Sequence, residues 1–530
     1  MRTFSYVVPP ILLIALLVGI HPSAPAFAGV PIPQEQRGKQ IYLRGTSPAG
    51  HELTAVLGED GAEVPAGILP CVNCHGHDGR GKPEGGITPS DITWEVLTTP
   101  YGVTHAGGRT HPPYTEPLLQ RAITMGIDPA GNPLHPAMPR YRLSHQDFAD
   151  LMAYLKQVGK SLNPGLTETT IRLGTMLPPT GGLEAMSQAV RGVLTAYFDD
   201  INQRGGIYNR RIDVRLAVSP DVPTARAPAL RAFLKEEQIF ALAGSYMAGA
   251  EAELADLLAE EAVPLVGAFG FDPQVGLPLN RYVFYLSAGL SDQGRALAAF
   301  VAKRYAAQNP RTAIIYPKAK GAREVAEAIN KQYQQSGWDV MEEISVPRGQ
   351  FSPALLAQQL SARGTEIVFF LGPSAAARAL FQEVRTRDWQ PIFLLPGALA
   401  GRELFDAPIS LDGRIWLSFP MLPADYTPKG MEEYRRLAQA YGLPPQPSEA
   451  QLTALASAKI LVEGLKRAGR NVSREKLIEA LEGLYEFETG FTPSVTYGPN
   501  RRVGALGAHV VALDLRAQRL VSLSPWIDLR

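Results

Sequence analysis

Cys71-Val72-Asn73-Cys74-His75 sets the architecture of the first quarter of this chain. Two cysteines on one helical turn can reach the two vinyl groups of a haem and form thioethers, and His75 then lies under the iron as an axial ligand. A zinc site would need two further ligands, and the chain has no other cysteines. A thiol redox pair would need a strand–helix–strand context, whereas proline and glycine surround this motif. The motif therefore predicts one covalently bound haem c.

Composition bounds what the rest of the molecule can be. The 530 residues are 45% hydrophobic, which predicts two to four globular domains at about 100–200 residues each. Lys+Arg and Asp+Glu balance at 51 each, so there is no basic excess for a nucleic-acid partner. No hydrolytic or group-transfer motif is found. We therefore expect an electron carrier or binding protein rather than an enzyme.

The first 28 residues have the features of a secretion signal. Arg2 precedes an apolar stretch over residues 7–20, and Ala26-Phe27-Ala28 predicts cleavage after Ala28. The apolar stretch is short for a bilayer span of about 20 residues, although an uncleaved anchor is the alternative. We expect a soluble mature protein in a bacterial periplasm.

A second axial ligand should follow the motif within the same block. The candidates are Met138, His135, Met125, His105, His111 and His145. Residues 35–43 and 144–158 are predicted helices, the second because apolar residues recur at helical spacing after the Ser144/Asp147 capping box.

Residues 29–163 resemble the class I c-type cytochromes. The resemblance lies in Gly38–Tyr42 on the first helix, Gly76 closing the motif, the pair Met138-Pro139, and Tyr154–Lys156 at the end of the last helix. It implies a small all-α domain for electron transfer with Met138 as the distal ligand, and His135 is the main alternative. Residues 118–138 are similar to cytochrome domains that serve periplasmic dehydrogenases. This implies a quinoprotein dehydrogenase or another cytochrome as the redox partner.

An insert, which we define as residues 44–70, departs from that family pattern. Such domains usually place the first helix closer to the haem motif. We expect the insert to cover the haem or to form a docking surface.

From Ile171 onward, short apolar runs alternate with helical stretches. This alternation predicts parallel sheets with helices on both faces, and the length predicts two lobes. The predicted strands cover residues 171–177, 211–217, 239–244, 264–268, 312–316, 367–371 and 391–395, and the predicted helices include residues 186–203 and 224–236.

This second block resembles the type I periplasmic binding proteins, the leucine/isoleucine/valine-binding family. Residues 171–182 match the first strand and the loop after it, and residues 200–213 match the signature that follows the first helix. The resemblance implies a binding-protein domain over residues 164–530 with two α/β lobes that close on a ligand. Its lobes would comprise roughly residues 168–286 with 413–486, and 287–412 with 487–530.

The ligand chemistry depends on two loops of the first lobe. In the amino-acid binders of this family, hydroxyls in these loops hold the ligand carboxylate. Here residues 245–249 keep only Ser245, and residues 267–271 contain no serine or threonine. An aromatic-lined cleft suits a small apolar or aromatic ligand; alternatively, the rings fill the core and nothing binds. The cleft candidates are Thr180, Ser245, Tyr246, Phe271, Tyr316 and Ser374.

Two functional hypotheses follow. The first is a periplasmic haem c electron carrier with a fused solute-binding domain, serving a dehydrogenase. The second is a substrate-binding or sensing protein of an ABC permease, in which the haem reports redox state.

Overall fold

The computed structural model describes residues 33–58, 61–81, 86–105, 107–159, 163–179, 181–276, 278–306, 308–339 and 342–529. The chain forms two compact units, residues 1–160 and 161–530. The secretion signal predicted in residues 1–28 lies outside the described residues. Within the described ranges, no helix combines the length and the apolar character that a membrane crossing requires.

Two helices cross at a glycine in the first unit. Gln34–Arg44 packs on His145–Leu155, and a Cβ at Gly38 would lie only 1.9 Å from the carbonyl oxygen of Asp150. These helices confirm the two predicted from sequence. The described helices of this unit are Gln34–Arg44, Val72–His75, Trp94–Leu97, Glu116–Met125 and His145–Leu155, with a 3-10 turn at Ala66–Ile68.

The first unit also contains a small antiparallel sheet that the sequence did not predict. The insert supplies two of its strands, Thr54–Leu57 and Ala62–Pro65, and Arg140–Arg142 pairs with the first of them. Val103–Thr104 and Thr110–His111 form a separate ribbon. The helical core expected for this domain is present, and the sheet is an addition to it. The sheet forms because the insert folds onto the chain after Met138.

The described residues of the second unit form two sheets, as predicted. All strand pairs in the first sheet are parallel. Its strands, in spatial order, are Val503–Ala505, Val283–Ser287, Leu265–Val266, Ala241–Ala243, Thr170–Leu177 and Arg211–Val218. Its helices are Glu184–Gln203, Arg226–Glu236, Glu251–Glu260, Pro428–Tyr441, Glu449–Ala468 and Arg474–Glu482. Separate apolar clusters on the two faces bury the sheet between helices.

The second sheet is parallel over its first five strands and ends in an antiparallel hairpin. Its strands, in spatial order, are Glu342–Val346, Thr312–Pro317, Ile367–Phe370, Ile392–Pro396, Ile415–Phe419, Gly507–Asp514 and Arg519–Ser522, with Ile527–Asp528 beside Gly507–Asp514. Its helices are Leu290–Arg304, Lys320–Gln335, Pro353–Ala362 and Ser374–Glu383.

Strand pairing shifts two of the expected lobe boundaries. Ile415–Phe419, expected in the first lobe, pairs with Ile392–Pro396 in the second sheet. Val503–Ala505, expected in the second lobe, pairs with Val283–Ser287 in the first. Both strands are short apolar runs, and nothing in their composition distinguishes one sheet from the other. The last two crossings between lobes therefore lie in residues 420–427 and at residue 506.

Candidate haem site and ligand cleft

The haem motif forms a single helical turn. Val72–His75 is helical, and Gly76 ends it with a φ of +71°, a conformation that glycine adopts without strain. Cys71 is half-buried and Cys74 is exposed. Desolvation raises the pKa of the Cys71 thiol to about 12, so this thiol is protonated at neutral pH. Among the described residues, no three potential metal-binding side chains of His, Cys, Asp or Glu cluster together.

His75 is held in the tautomer that suits an iron ligand. Its side chain is buried, and Nδ1 lies 3.0 Å from the carbonyl oxygen of Ser90. Because a carbonyl can only accept, Nδ1 carries the hydrogen and Nε2 is left as the metal-binding nitrogen. Burial lowers the pKa of His75 and so favours the neutral imidazole.

Two further histidines form a hydrogen-bonded chain behind Ser90. The Ser90 hydroxyl lies 3.4 Å from His105 Nδ1, and His105 Nε2 lies 3.0 Å from His111 Nε2. His111 Nδ1 donates to the Pro112 carbonyl at 2.8 Å. His111 Nε2 must therefore accept from His105 Nε2–H. Both imidazoles are thus engaged in hydrogen bonds on the side of Ser90, whose carbonyl accepts from His75.

Met138 is the distal candidate that packs into the interior. Its side chain is half-buried against the core of the first unit. Met125 is 63% exposed at the end of its helix. His135 is exposed, and its Nδ1 accepts from the backbone N–H of Ala137 at 3.2 Å.

Two tyrosines fix the backbone on either side of the motif. Tyr42 is fully buried and donates to the Gly76 carbonyl at 2.6 Å. Tyr141 is also buried and donates to the Leu69 carbonyl at 2.5 Å. Tyr42 belongs to the family pattern seen in the sequence. Tyr141 was missed, and its only signal is its position shortly after Met138.

These side chains fit a haem c. Two thiols on one turn, a neutral imidazole held through Nδ1, and a half-buried thioether sulfur are the donor set for covalent attachment and His/Met ligation. When bound, the haem supplies an iron centre that gains or loses one electron. The described residues would anchor it, orient the axial ligands and exclude water.

Three of the cleft candidates meet at the carboxyl edge of the first sheet. Ser245 and Tyr246 follow the strand Ala241–Ala243, and Phe271 follows the next strand. Ser245 is buried, and its hydroxyl oxygen accepts from the Met176 N–H at 3.0 Å. Tyr246 is half-buried, with the Arg226 guanidinium 5.1 Å from its ring centre. The Phe271 side chain is half-exposed.

The other candidates have different surroundings. Tyr316 lies within its strand, with its ring buried in the second-lobe core and its hydroxyl 3.5 Å from Glu343. Ser374 begins a helix, and its hydroxyl donates to the Glu403 carboxylate. Phe269 packs against the first-lobe core, so this ring does fill core space. Thr180 lies outside the described residues.

Comparison with known proteins assigns both units to families. A periplasmic binding protein family model matches residues 170–512, and a cytochrome c family model matches residues 60–159. The Leu/Ile/Val-binding protein homolog 3 of Brucella melitensis is 22% identical over 321 residues, covering 60% of this chain and 85% of that protein. The Leu/Ile/Val-binding protein BraC3 of Rhizobium johnstonii is 22% identical over 334 residues, covering 63% of this chain and 89% of that protein.

Solved structures show the same fold. A branched chain amino acid ABC transporter protein from Thermus thermophilus with bound valine superposes with a TM-score of 0.54 at 17% identity, covering 69% of this chain and 97% of that chain. A fatty acid ABC transporter substrate-binding protein from Thermomonospora curvata superposes with a TM-score of 0.55 at 15% identity, covering 70% of this chain and 95% of that chain. This chain therefore belongs to the periplasmic binding protein family and carries a cytochrome c domain before the binding-protein fold.

Proposed function

We propose that this protein is a periplasmic electron carrier with one covalent haem c, serving a dehydrogenase. The observation that carries the proposal is the buried His75, whose Nδ1 donates to the Ser90 carbonyl and whose neighbours are the two motif cysteines. With Met138 as the second ligand beside His75, a bound haem iron would have no open position for substrate. This arrangement would favour electron transfer over catalysis.

Reduction kinetics test this proposal directly. Purified oxidised holoprotein is mixed with a reduced quinoprotein alcohol dehydrogenase, and the haem absorbance is followed in a stopped-flow instrument. We expect reduction within seconds, followed by reoxidation by a second c-type cytochrome. If the haem neither accepts nor donates electrons with such periplasmic partners, the carrier function is wrong.

We further propose that the binding-protein unit recognises a neutral apolar or aromatic molecule rather than an amino acid. A carboxylate clamp needs directed donors, yet residues 267–271 contain no serine or threonine hydroxyl, and the Ser245 side chain is buried at 2% exposure. The rings of Tyr246 and Phe271 occupy the same sheet edge, where they can pack on an apolar ligand.

Thermal denaturation distinguishes these ligand classes, because a ligand that binds only the folded state raises the midpoint. We expect benzyl alcohol to raise the midpoint of the binding-protein unit and leucine to leave it unchanged. Tyr246→Ala should abolish the benzyl alcohol shift, whereas Tyr485→Ala, at a 70% exposed tyrosine, should keep it. A shift with leucine alone would contradict the proposed ligand class.

The second candidate function is ligand capture for an ABC permease, with the haem as a redox reporter. The two-lobed fold and the relatives named above favour it. Deletion of the gene would then abolish uptake of a solute while leaving dehydrogenase-dependent respiration intact. The carrier function predicts the opposite pattern.

A further inference from the structure

We propose that Arg140 is a positioning residue that holds the Met138 loop, residues 134–138, in the place where its thioether can reach the iron. The inference rests on the proposed haem function and on Met138 as its distal ligand. It also gives the insert a role, because the insert carries the strand that holds Arg140.

The Arg140 side chain bridges both ends of the Met138 loop. Its guanidinium donates to the Met138 carbonyl through one terminal nitrogen and to the Leu134 carbonyl through the other at 3.3 Å. A guanidinium presents its donors in a fixed planar fork, so two bonds to one loop restrain the distance between the loop ends.

Gly126 provides the space for this arrangement. A Cβ at Gly126 would lie 1.7 Å from Arg140 Nε, and the residue adopts a φ of +71°. The Gly126 carbonyl also accepts from Leu134 N–H at 2.7 Å, so the start of the loop is fixed to the same glycine. The guanidinium therefore lies between the end of helix Glu116–Met125 and the Met138 loop.

The backbone of Arg140 is held by the insert. Val56 pairs with Arg140, and Ala55 pairs with Tyr141, in the antiparallel sheet. Tyr141 reaches the Leu69 carbonyl just before the haem motif. One short strand thus connects the distal loop to the chain that carries both cysteines.

The remainder of the insert is fixed to the last helix. Ser47 donates to Asp147 Oδ1 at 2.7 Å, and His51 Nε2 lies 2.6 Å from Asp147 Oδ2. Asp147 is almost fully buried in the first turn of helix His145–Leu155. The insert therefore braces the last helix against the strand that follows Met138.

Competition with imidazole measures how firmly Met138 is held. In the oxidised holoprotein, imidazole must displace the thioether, and the loss of the sulfur–iron charge-transfer band reports the displacement. A loop that releases Met138 more easily binds imidazole with higher apparent affinity. For Arg140→Met we expect the apparent affinity for imidazole to increase about tenfold, because the hydrogen bonds that the charged guanidinium donates to the loop are lost. Arg140→Lys keeps the charge and one donor group, and we expect an increase of about threefold.

Arg142→Met is the matched control. Arg142 lies on the same strand, but its side chain is 69% exposed and pairs with Glu63 at 3.6 Å. We expect its imidazole affinity to equal that of the wild type. Unfolding followed by circular dichroism separates a local change at the loop from a global loss of stability.

Three outcomes would overturn the inference. Equal imidazole affinities in wild type, Arg140→Lys and Arg140→Met would refute the positioning role of Arg140. The haem assignment would be unaffected by this result. An increase as large in Arg142→Met would show that any change in this strand has the same effect. Absence of the sulfur–iron band in the wild type would refute Met138 as the ligand, and with it the basis of the inference. Should Arg140→Met fail to fold, the imidazole affinities of Arg140→Lys and Arg142→Met test the positioning role. The inference predicts a higher affinity in Arg140→Lys alone, and equal affinities would refute it.

Discussion

The assignment of the distal ligand depends on a single side chain, Met138. It packs half-buried against the core, whereas the other candidates are exposed or engaged in hydrogen bonds. We expect Met138→Ala to abolish the sulfur–iron charge-transfer band of the oxidised protein and to lower the reduction potential. Met125→Ala is the control, because that side chain is 63% exposed. An unchanged band in Met138→Ala would show that another residue binds the iron.

A second prediction concerns Asp147, which anchors the insert. Desolvation opposes its ionisation, but hydrogen bonds from Ser144, Ser47 and His51 outweigh that effect, so its pKa is lower than the usual value. A folded-state pKa below the unfolded one stabilises the protein above the unfolded value of about 3.9. This stability is lost as the pH falls through the folded pKa.

We therefore expect Asp147→Asn to lower the free energy of unfolding of the cytochrome domain by about 1.5–3 kcal/mol at pH 7. The difference in the free energy of unfolding between the variant and the wild type should shrink as the pH approaches 3, because Asp147 then becomes protonated in the wild type. Denaturant unfolding followed by haem absorbance at several pH values measures it. Glu63→Gln is the control, because that carboxylate is 45% exposed on the insert. A difference that stays constant with pH would contradict the ionic role of Asp147.

The sequence predicted the residues that bear haem chemistry and missed those that support them. Cys71, Cys74 and His75 have fixed spacing, which a one-dimensional pattern can carry. The Ser90 carbonyl has no side-chain signature, because any residue offers the same acceptor. Arg140 was missed for a related reason: its partners are backbone carbonyls whose positions depend on the folded loop.

At the scale of elements, the crossing of the first and last helices of the cytochrome domain provides a sharp test. Glycine inside a helix is about 1 kcal/mol less favourable than alanine, so propensity alone predicts that Gly38→Ala stabilises. The structure predicts the reverse, because the new Cβ would lie 1.9 Å from the Asp150 carbonyl oxygen. We expect a loss of about 1–3 kcal/mol in the free energy of unfolding, since the helices must separate.

Gly107→Ala is the matched control for this test. A Cβ at Gly107 would meet no atom within 4 Å. Thermal unfolding of the holoprotein should therefore show a lower midpoint for Gly38→Ala and a nearly unchanged midpoint for Gly107→Ala. A stabilised Gly38→Ala variant would mean that these helices do not cross as described.

Elements with strong periodicity were predictable, and short ones were not. The alternation of apolar runs and helices located strands such as Thr170–Leu177 and Thr312–Pro317 closely. Thr54–Leu57 and Arg140–Arg142 have four and three residues, too few for an alternating pattern to be seen. Ile415–Phe419 and Val503–Ala505 were not predicted as strands, and the sheet that each one joins depends on packing against distant parts of the chain.

At the scale of the whole molecule, two families with different chemistry share one chain. The binding-protein fold was predictable because its signature spans many elements, and fold does not determine the ligand. The first-lobe edge offers aromatic rings and a buried serine whose hydroxyl oxygen accepts from a backbone N–H. Ligand identity could not be predicted beyond this class, because it depends on how both lobes present side chains around the same molecule.

The central claim is that a haem is covalently bound at the motif, and the intact mass of the exported protein tests it most directly. The protein is expressed with a cytochrome c maturation system, denatured in acid, and weighed by mass spectrometry. We predict the mass of residues 29–530 plus one haem, with the added mass lost in a Cys71→Ala/Cys74→Ala variant. A polypeptide that carries no added haem mass under these conditions would contradict the account.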